Sequence, residues 1–226
     1  MRAKLSVVIP TLNVATCLPT CLTALFEGLE TGLIRELIIS DGGSTDKTRE
    51  IAEEAGARFV TGAASRGGQL RRGADAAKGE WLLFLHADTV LSGGWAEAMR
   101  LQMDDARPGY CKLRFDRGGM AAALVSGWAN LRSRFFGLPY GDQALLISRG
   151  EYDAVGGYPD IPLMEDVAMA RRLRGRLRQI PIAATTSAAR YEREGWLRRG
   201  ARNLSVLLRY LMGADPETLR RRYLGR

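Results

Sequence analysis

Two aspartates each follow an apolar run at the point where a buried strand would end. Asp41 comes directly after Glu36–Ser40 and opens an Asp-Gly-Gly-Ser turn, and Asp88 follows the run Trp81–Leu85. Carboxylate oxygens suit Mg²⁺ and Mn²⁺, and an ion held by them can bridge to a diphosphate. A single carboxylate at a strand end could also simply cap a helix. Together with the glycine turn, the two aspartates predict a metal-assisted site for a phosphorylated ligand.

Phosphate groups would depend on such an ion, because the sequence has neither a Walker-type loop nor a Gly-x-Gly-x-x-Gly turn after its first strand. Basic residues are nevertheless close in sequence, in the segment Arg66–Arg72. This segment opens a predicted helix, and the amides at a helix N-terminus attract anions. An ordinary solvated helix start explains the same residues, so both interpretations stay open.

A second acidic pair, Glu165 and Asp166, lies near the start of an amphipathic segment, Leu163–Leu173, that is predicted to be helical. The helix dipole stabilises acids at this position whatever else they do. Position alone therefore leaves a purely structural role open for both residues.

Apolar runs and amphipathic segments alternate along the first 90 residues, and this order predicts βαβ units in a mostly parallel α/β sheet. Strands are predicted over Leu5–Ile9, Glu36–Ser40, Arg58–Val60 and Trp81–Leu85, with helices over Leu18–Leu29, from the glycine turn to Gly56, and over Gln69–Ala77. Ligands of such doubly wound sheets bind beyond the carboxyl ends of the strands. The polar residues that follow the strands are therefore expected to share one crevice.

The second half of the chain has a more mixed pattern. Strands are predicted over Tyr110–Phe115, Ala144–Ser148 and Arg178–Ala183, and a helix is predicted over Met120–Phe136. Pro181 interrupts the last of these strands, and proline is confined largely to edge strands and bulges. We therefore predict an edge position for that strand.

The segments Ser6–Asn13, Glu36–Asp46 and Gly79–Asp88, in this order and spacing, resemble the family 2 (A-type) glycosyltransferases. The tripeptide His-Ala-Asp, with Leu-Pro-Tyr-Gly-Asp-Gln and Leu-Met-Glu-Asp further on, most resembles a compact bacterial subgroup of that family. The resemblance spans about residues 4–190. It implies a nucleotide-diphospho-sugar transferase (GT-A) fold, a glycosyltransferase domain of residues 1–190, and a UDP- or GDP-sugar donor.

The resemblance also implies the donor site. The residues expected there, including those of the basic helix start, are Pro10, Thr11, Asn13, Asp41, Ser44, Gly67, Arg71, His86, Ala87 and Asp88. Asp88 takes the metal-binding position of the family's Asp-x-Asp motif, so the implied cofactor is Mn²⁺ or Mg²⁺. The chain departs from that motif at His86. A neutral imidazole can donate a hydrogen bond or ligate Mn²⁺, but it can also be a spectator.

On the acceptor side, the resemblance makes Asp166, paired with Glu165, the general base that removes a proton from the acceptor hydroxyl. One direct displacement then inverts the anomeric centre. The loop 137–143 is expected to contact a sugar through three groups, although a plain turn also explains its glycines: Tyr140, Asp142 and Gln143. Arg190 lies where processive members carry Gln-x-x-Arg-Trp, and the motif is incomplete here.

Two other functions stay open at this stage. A nucleotidyltransferase acting on sugar phosphates would share the fold and the metal, but it usually has a glycine-rich, arginine-containing loop after its first strand, which this chain lacks. A non-catalytic nucleotide-sugar-binding protein would need no Asp166. The sequence does not identify the donor sugar or the acceptor.

The last part of the chain, residues 191–226, is predicted to be a basic amphipathic tail belonging to the same unit. The net charge is +8, and from Arg190 onward ten arginines face four acids. The remainder is nearly neutral, which argues against a nucleic-acid partner. Within the tail, Trp196–Met212 could pack on the domain, lie on an anionic membrane, or form a homodimer. A membrane contact would make a lipid-linked acceptor the expected one.

The three cysteines and the first residues of the chain bear on location. With three cysteines and one histidine, free thiols are expected rather than a zinc site or a disulfide framework. No signal-peptide core and no run of 18 apolar residues is present. These features predict a cytoplasmic protein, or one bound to the inner face of the membrane if the tail contacts lipid.

Overall fold

One eight-stranded sheet runs through the computed structural model, which describes residues 3–224. The strands are β1 (Leu5–Thr11), β2 (Ile34–Asp41), β3 (Arg58–Thr61), β4 (Trp81–Phe84), β5 (Thr89–Leu91), β6 (Gly109–Phe115), β7 (Leu145–Ser148) and β8 (Arg178–Thr186). Their order across the sheet is β3-β2-β1-β4-β7-β6-β8-β5. The predicted α/β class is confirmed.

Helices connect the strands and complete the chain. They are α1 (Leu18–Ala24), α2 (Phe26–Glu30), α3 (Thr48–Glu54), α4 (Arg66–Ala76), α5 (Trp95–Asp104), α6 (Met120–Phe136), α7 (Arg149–Ala154), α8 (Glu165–Arg172), α9 (Ala189–Glu194), α10 (Trp196–Leu211) and α11 (Pro216–Leu224). The single helix predicted over Leu18–Leu29 is two helices, with a break at Leu25.

The first four strands place the crevice. β1 lies between β2 and β4 and is parallel to both, so the chain crosses over β1 to reach its other side. The carboxyl ends of β1 and β4 separate at this reversal of strand order, which is where doubly wound sheets bind ligands. Beyond β4, the sheet continues with the antiparallel strand β7.

Both faces of the sheet are covered. On β1, Val7 and Ile9 pack into a core with α1 and α5, whereas Val8 points to the opposite core with α4, α7 and α8. Successive side chains of a strand alternate between faces, so a strand buried on both sides is apolar throughout. This explains the consecutive apolar residues Val7–Ile9 of β1.

The predicted edge position applies to the part of β8 that contains Pro181 but not to the whole strand. β8 lies inside the sheet, parallel to β6, and β5 forms the edge by pairing with Ala184–Thr186. Pro181 is accommodated because the register between β6 and β8 shifts beside it, from Gln179 opposite Tyr110 to Ala183 opposite Lys112. Pro181 therefore lies at a bulge, in the part of β8 that pairs with β6 but not with β5, and sheets tolerate proline both at bulges and at edges.

The helices after β8 pack back on the sheet through aromatic residues. Phe115 at the end of β6 makes edge-to-face contacts with Tyr191 and Trp196, each with ring centroids 5.0 Å apart. In α10, Val206 and Leu207 are buried against α8 and α11 residues. Among the helices of residues 3–224, none is long and apolar enough to cross a bilayer.

Candidate active site

The ends of β1 and β2 are joined by a buried carboxylate. Asp41 is 2% exposed, and its two oxygens accept hydrogen bonds from Thr11 Oγ1 (2.8 Å), Ser44 Oγ (2.5 Å), Ser44 N (2.7 Å) and Gly43 N (2.8 Å). Burial opposes ionisation, but these four donors outweigh it and lower the pKa of Asp41. Asp41 thus holds Thr11 and the turn after β2 in place, and Thr11 lines the crevice.

The turn after β1 is held in a conformation that few residues adopt. Asn13 has a positive φ of 53°, its N–H donates to Ser44 Oγ (2.8 Å), and its Oδ1 accepts from Thr45 N (2.9 Å). Asparagine tolerates this left-handed region better than most residues, and such conformations persist where the surroundings fix them. The result is a rigid crevice wall formed by Asn13 with Pro10 and Thr11.

The segment after β4 forms the opposite wall. Ala87 is largely buried, and it lines the crevice together with His86 and Asp88. Within residues 3–224, no side chain or amide donates a hydrogen bond to the Asp88 carboxylate, and no cation lies within ion-pair distance of it. Its oxygens are therefore available to a ligand.

His86 is held in its neutral form. Burial, together with the positive charges of Arg66 and Arg190, lowers its pKa well below the ordinary value. Nη2 of Arg66 lies 3.1 Å from Nδ1 and 3.0 Å from Nε2 of the imidazole. A carboxylate at this position would form an ion pair with the guanidinium, whereas the neutral ring leaves the positive charge of Arg66 uncompensated on that side.

The basic helix start does not lie as predicted. Arg71 is exposed, donates to the carbonyl of Tyr158 (3.4 Å) and lines neither cavity of the site. Gly67 donates its amide to the carbonyl of Ile161 (3.2 Å), so that amide is unavailable to an anion. The structure instead brings Arg66, the first residue of α4, into the crevice. The direction of each side chain on the helix decides this, and the composition of the segment does not reveal it.

Gly67 allows two backbone segments to touch. A Cβ at this position would lie 2.0 Å from the carbonyl oxygen of Pro159 and 2.9 Å from the amide nitrogen of Ile161. We expect Gly67→Ala to lower the melting temperature by several degrees, since overpacking costs about 1–3 kcal/mol and about 2–4 °C accompanies each kcal/mol in chains of this size. Gly150→Ala is the matched control, because nothing lies within 4 Å of its added Cβ. Equal melting temperatures for the two variants would contradict the close contact.

The acidic pair, Glu165 and Asp166, lies at the start of α8. Glu165 is 2% exposed, and its Oε1 is 3.3 Å from Nε of Arg66. Asp166 accepts hydrogen bonds from Gly141 N (2.9 Å) and Val167 N (2.7 Å), one on each oxygen, and faces the second cavity of the site. Both acids are thus oriented, Glu165 by a cation and Asp166 by two amides.

The loop before β7 contributes two of its three predicted residues to this cavity. Tyr140 and Asp142 line it, and burial raises the pKa of Asp142 to about 6. Gln143 is fully buried and does not reach the cavity. Its side chain accepts from Ser133 Oγ (2.6 Å) and donates to the carbonyl of Cys111 (3.1 Å), so the structure gives it a role in fixing the loop.

The state of Glu165 predicts a pH dependence of stability. Burial, reinforced by Asp166 and only partly offset by Arg66, raises the pKa of Glu165 from 4.5 to about 7. Between these values the folded state binds more protons than the unfolded state, so the free energy of unfolding falls as the pH rises. We expect Glu165→Gln to flatten the profile of melting temperature against pH in this interval. Thermal melts of the exposed control Glu50→Gln should retain the wild-type slope, and an unchanged slope in Glu165→Gln would contradict the raised pKa.

Two adjoining cavities meet at one set of residues. One lies over the ends of β1 and β4, the other between α8, the loop before β7 and the C-terminal helices. Four residues line both of them: Arg66, His86, Asp88 and Arg190. We call this set the junction. It combines two guanidinium groups, a neutral imidazole and an unengaged carboxylate.

Sequence reasoning missed the contribution of the last helices. Arg190 belongs to the junction, and the far wall of the second cavity includes Tyr191, Arg199, Asn203 and Tyr223. Hydrogen bonds join these residues: Tyr223 Oη donates to Asn203 Oδ1 (3.2 Å), and Asn203 Nδ2 donates to Tyr191 Oη (3.0 Å). The basic composition of the tail gave no sign of this polar network, which only the tertiary packing creates.

The junction offers one carboxylate to a divalent cation, and the other ligands would have to come from a bound phosphate group and water. Among residues 3–224, no three histidine, cysteine or acidic side chains gather into a cluster that could hold a metal alone. Mg²⁺-type ions in nucleotide sites, however, use one or two carboxylates and take the remaining ligands from phosphates and water. The unengaged carboxylate of Asp88 matches that donor set.

Comparisons with known proteins agree with this geometry. The sequence profile of glycosyl transferase family 2 matches residues 6–123, slightly more than half of the chain and the part that builds β1–β6 and α1–α5. The chain belongs to glycosyl transferase family 2. The family resemblance inferred from its three strand-end segments is confirmed.

Curated proteins similar to this chain are named glycosyltransferases. The chain is 43% identical over 93 residues to the PGL/p-HBAD biosynthesis glycosyltransferases of Mycobacterium tuberculosis and Mycobacterium bovis. The match covers 38% of this chain and 36% of those proteins, so it spans little more than a third of the relatives' length.

Solved structures confirm the GT-A fold. The mannosyltransferase PcManGT of Pyrobaculum calidifontis, solved with GDP-Man and Mn²⁺, has a TM-score of 0.68 at 16% identity, covering 96% of this chain and 66% of that one. The glucosyl-3-phosphoglycerate synthase of Mycobacterium tuberculosis, solved with Mn²⁺ and UDP, has a TM-score of 0.60 at 20% identity, covering 94% and 79%. At such identities the likeness concerns the fold alone.

Proposed function

We propose that this family 2 protein transfers a hexosyl or related glycosyl group from a UDP- or GDP-sugar to an acceptor hydroxyl, with inversion at the anomeric carbon. The observation that carries the proposal is the junction. It lies between a crevice at the strand ends and a cavity that contains an oriented carboxylate, Asp166. A diphosphate at the junction would have a nucleoside on one side and a sugar on the other.

The crevice suits the nucleoside. Thr11 and Asn13 present polar groups along one wall, and the buried Asp41 with Ser44 fixes their positions. Because the wall is held by internal hydrogen bonds before any ligand binds, little ordering is required on binding. The solved GT-A relatives bind UDP, UDP-GlcNAc or GDP-Man, which supports a UDP- or GDP-sugar here.

The diphosphate would lie at the junction. Arg66 and Arg190 supply positive charge there, and His86 can donate one hydrogen bond as a neutral imidazole. Asp88 would hold Mn²⁺ or Mg²⁺, and a bound ion supplies charge neutralisation for the departing nucleoside diphosphate. The relatives solved with Mn²⁺ support this choice of ion.

The acceptor would enter the second cavity. Asp166 takes the proton of the acceptor hydroxyl as its oxygen attacks the anomeric carbon, and the bond from that carbon to the diphosphate oxygen breaks. Two backbone amides orient the carboxylate, and Glu165 ties α8 to the junction through Arg66. A single displacement from the face opposite the leaving group inverts the configuration.

The first experiment is a screen of UDP- and GDP-sugars with Mn²⁺ or Mg²⁺. Thermal shift reports binding, and release of nucleoside diphosphate reports turnover. We expect one donor to raise the melting temperature in a metal-dependent manner and to be hydrolysed slowly without acceptor. Binding with no release and no transfer to any acceptor would favour the nucleotide-sugar-binding protein. Consumption of a nucleoside triphosphate with a sugar phosphate would favour the nucleotidyltransferase.

A further inference from the structure

Helix α6 exposes its large apolar side chains to solvent, whereas an ordinary surface helix buries them against its domain. Its large apolar side chains recur every three or four residues on the side that faces solvent: Met120, Leu124, Trp128, Leu131 and Phe135. Each of the five is at least 47% exposed. A helix that packs on a domain normally turns such a stripe toward the core.

The inward side of α6 is small and polar instead. Ala122, Ala129 and Ser133 are buried, and the amide side chain of Asn130 bonds both the N–H and the carbonyl of Leu113 on β6, at 2.8 and 3.0 Å. The contacts of α6 with its own domain are therefore complete without the apolar stripe. Another surface must account for that stripe.

Helix α10 repeats the arrangement beside it. Leu197, Leu204, Leu208 and Leu211 lie on one side of the helix and are 80%, 37%, 51% and 41% exposed. The side chains that face the domain are others, including Val206 and Leu207. Two neighbouring helices thus expose apolar stripes, which together we call the α6–α10 face.

The two helices adjoin, and a crevice between them leads inward. Val125, Trp128 and Leu204 line its outer part, while Tyr140 and Asp142 line its inner part. The last two residues also line the cavity that contains Asp166. The α6–α10 face is therefore continuous with the proposed acceptor site.

Charge selects the partner of this face. α6 and α10 contain no aspartate or glutamate and six arginines, of which Arg134, Arg198 and Arg209 are exposed. Two copies of the chain meeting through this face would bring like charges together, which is unfavourable. Anionic lipid headgroups would instead pair with the arginines while acyl chains receive the apolar side chains.

We propose that the α6–α10 face docks on a lipid bilayer with an anionic surface. Docking holds the opening between α6 and α10, and with it the second cavity, at the level of the lipid headgroups. If the proposed transferase function is correct, the acceptor hydroxyl is then carried by a lipid. The docking itself needs no catalysis, so Asp166→Asn should bind vesicles as the wild type does, and failure of one proposal is distinguishable from failure of the other.

Vesicle co-sedimentation of the full chain tests the docking. We expect binding to vesicles of phosphatidylcholine with about a third phosphatidylglycerol, and much weaker binding to phosphatidylcholine alone. Raising the salt concentration should weaken the binding, because headgroup attraction is screened. Emission of Trp128 should shift to shorter wavelength, and Trp128→Phe should remove most of that shift.

Paired substitutions provide the matched comparison. Leu124→Gln with Leu208→Gln should weaken vesicle binding at least about tenfold, since each leucine loses a buried apolar contact with lipid. The control pair, Leu29→Gln with Leu101→Gln, alters leucines that are 54% and 62% exposed on other helices, and should bind as the wild type. Unchanged melting temperatures establish that both pairs are folded.

Three outcomes would overturn the proposal. The first is that the wild type does not bind anionic vesicles at low salt. The second is that the double variant Leu124→Gln with Leu208→Gln binds them as well as the control pair does, which would indicate adsorption by charge alone. The third is that light scattering shows a dimer of the wild type, which does not bind vesicles, and that the same double variant is monomeric. The last result would make a second copy of the chain the occupant of the face.

Discussion

Asp166→Asn is expected to lower the rate of glycosyl transfer by a factor on the order of 10²–10⁴, the usual contribution of a general base. Asparagine has nearly the same shape and can still accept one of the two amide hydrogen bonds that orient Asp166, from Gly141 or Val167. It cannot take the proton of the acceptor. Transfer is measured with saturating donor, and donor affinity should change by less than about threefold, because Asp166 does not line the crevice proposed for the donor nucleoside.

Asp75→Asn is the matched control, since Asp75 is exposed on α4 and lines neither cavity. It should retain the wild-type rate. If Asp166→Asn kept more than a tenth of the wild-type rate with the chemical step limiting, another group would have to be the base. Asp142, which lines the same cavity and whose pKa is raised to about 6, would be the next residue to test.

Asp88→Ala is expected to have the second large effect, this time on donor binding. Removing one partner of a charge interaction at a binding site commonly costs about 2–5 kcal/mol, so the donor should bind on the order of 100-fold more weakly in the presence of Mn²⁺. Calorimetric titration measures the change. Without Mn²⁺, wild type and variant should bind the donor with similar, low affinity.

The folded state should tolerate this substitution, because the Asp88 carboxylate receives no hydrogen bond from any residue between 3 and 224. Asp105→Ala, at the exposed end of α5, serves as the control for a lost negative charge. Mn²⁺-dependent donor binding that survives unchanged in Asp88→Ala would show that the ion is held elsewhere.

The half of the fold that forms the proposed donor crevice was predictable because its signals are local. The strands β1, β2 and β4 each contain a short apolar run that is largely buried, Val7–Ile9, Leu37–Ile39 and Trp81–Phe84, and the residues after parallel neighbours meet at one edge of the sheet. Thr11, Asp41 and Asp88 were placed at strand ends on this basis. The sequence did not show whether a given side chain lines the crevice or supports it from behind through hydrogen bonds. Asp41 is of the second kind, because it is almost completely buried.

The junction and the proposed acceptor cavity depend on packing between distant segments. Arg66 rather than Arg71 enters the crevice because α4 is anchored by the contact of Gly67 with the loop 159–161, which no local pattern reveals. Arg190 reaches the junction because α9, which contains it, begins directly after the end of β8. That position depends on the pairing of β8 within the sheet. The short strand β5 escaped prediction since three residues carry too little pattern to separate a strand from a loop.

The most direct measurement is a crystal structure of the chain with Mn²⁺ and the nucleoside diphosphate selected by the donor screen, with the ion located by its anomalous scattering. We predict that the ion lies within coordination distance of the Asp88 carboxylate, that the diphosphate contacts Arg66 and Arg190, and that the nucleoside lies along Thr11 and Asn13. A nucleotide bound outside this crevice, or an ion away from Asp88, would contradict the proposed donor site.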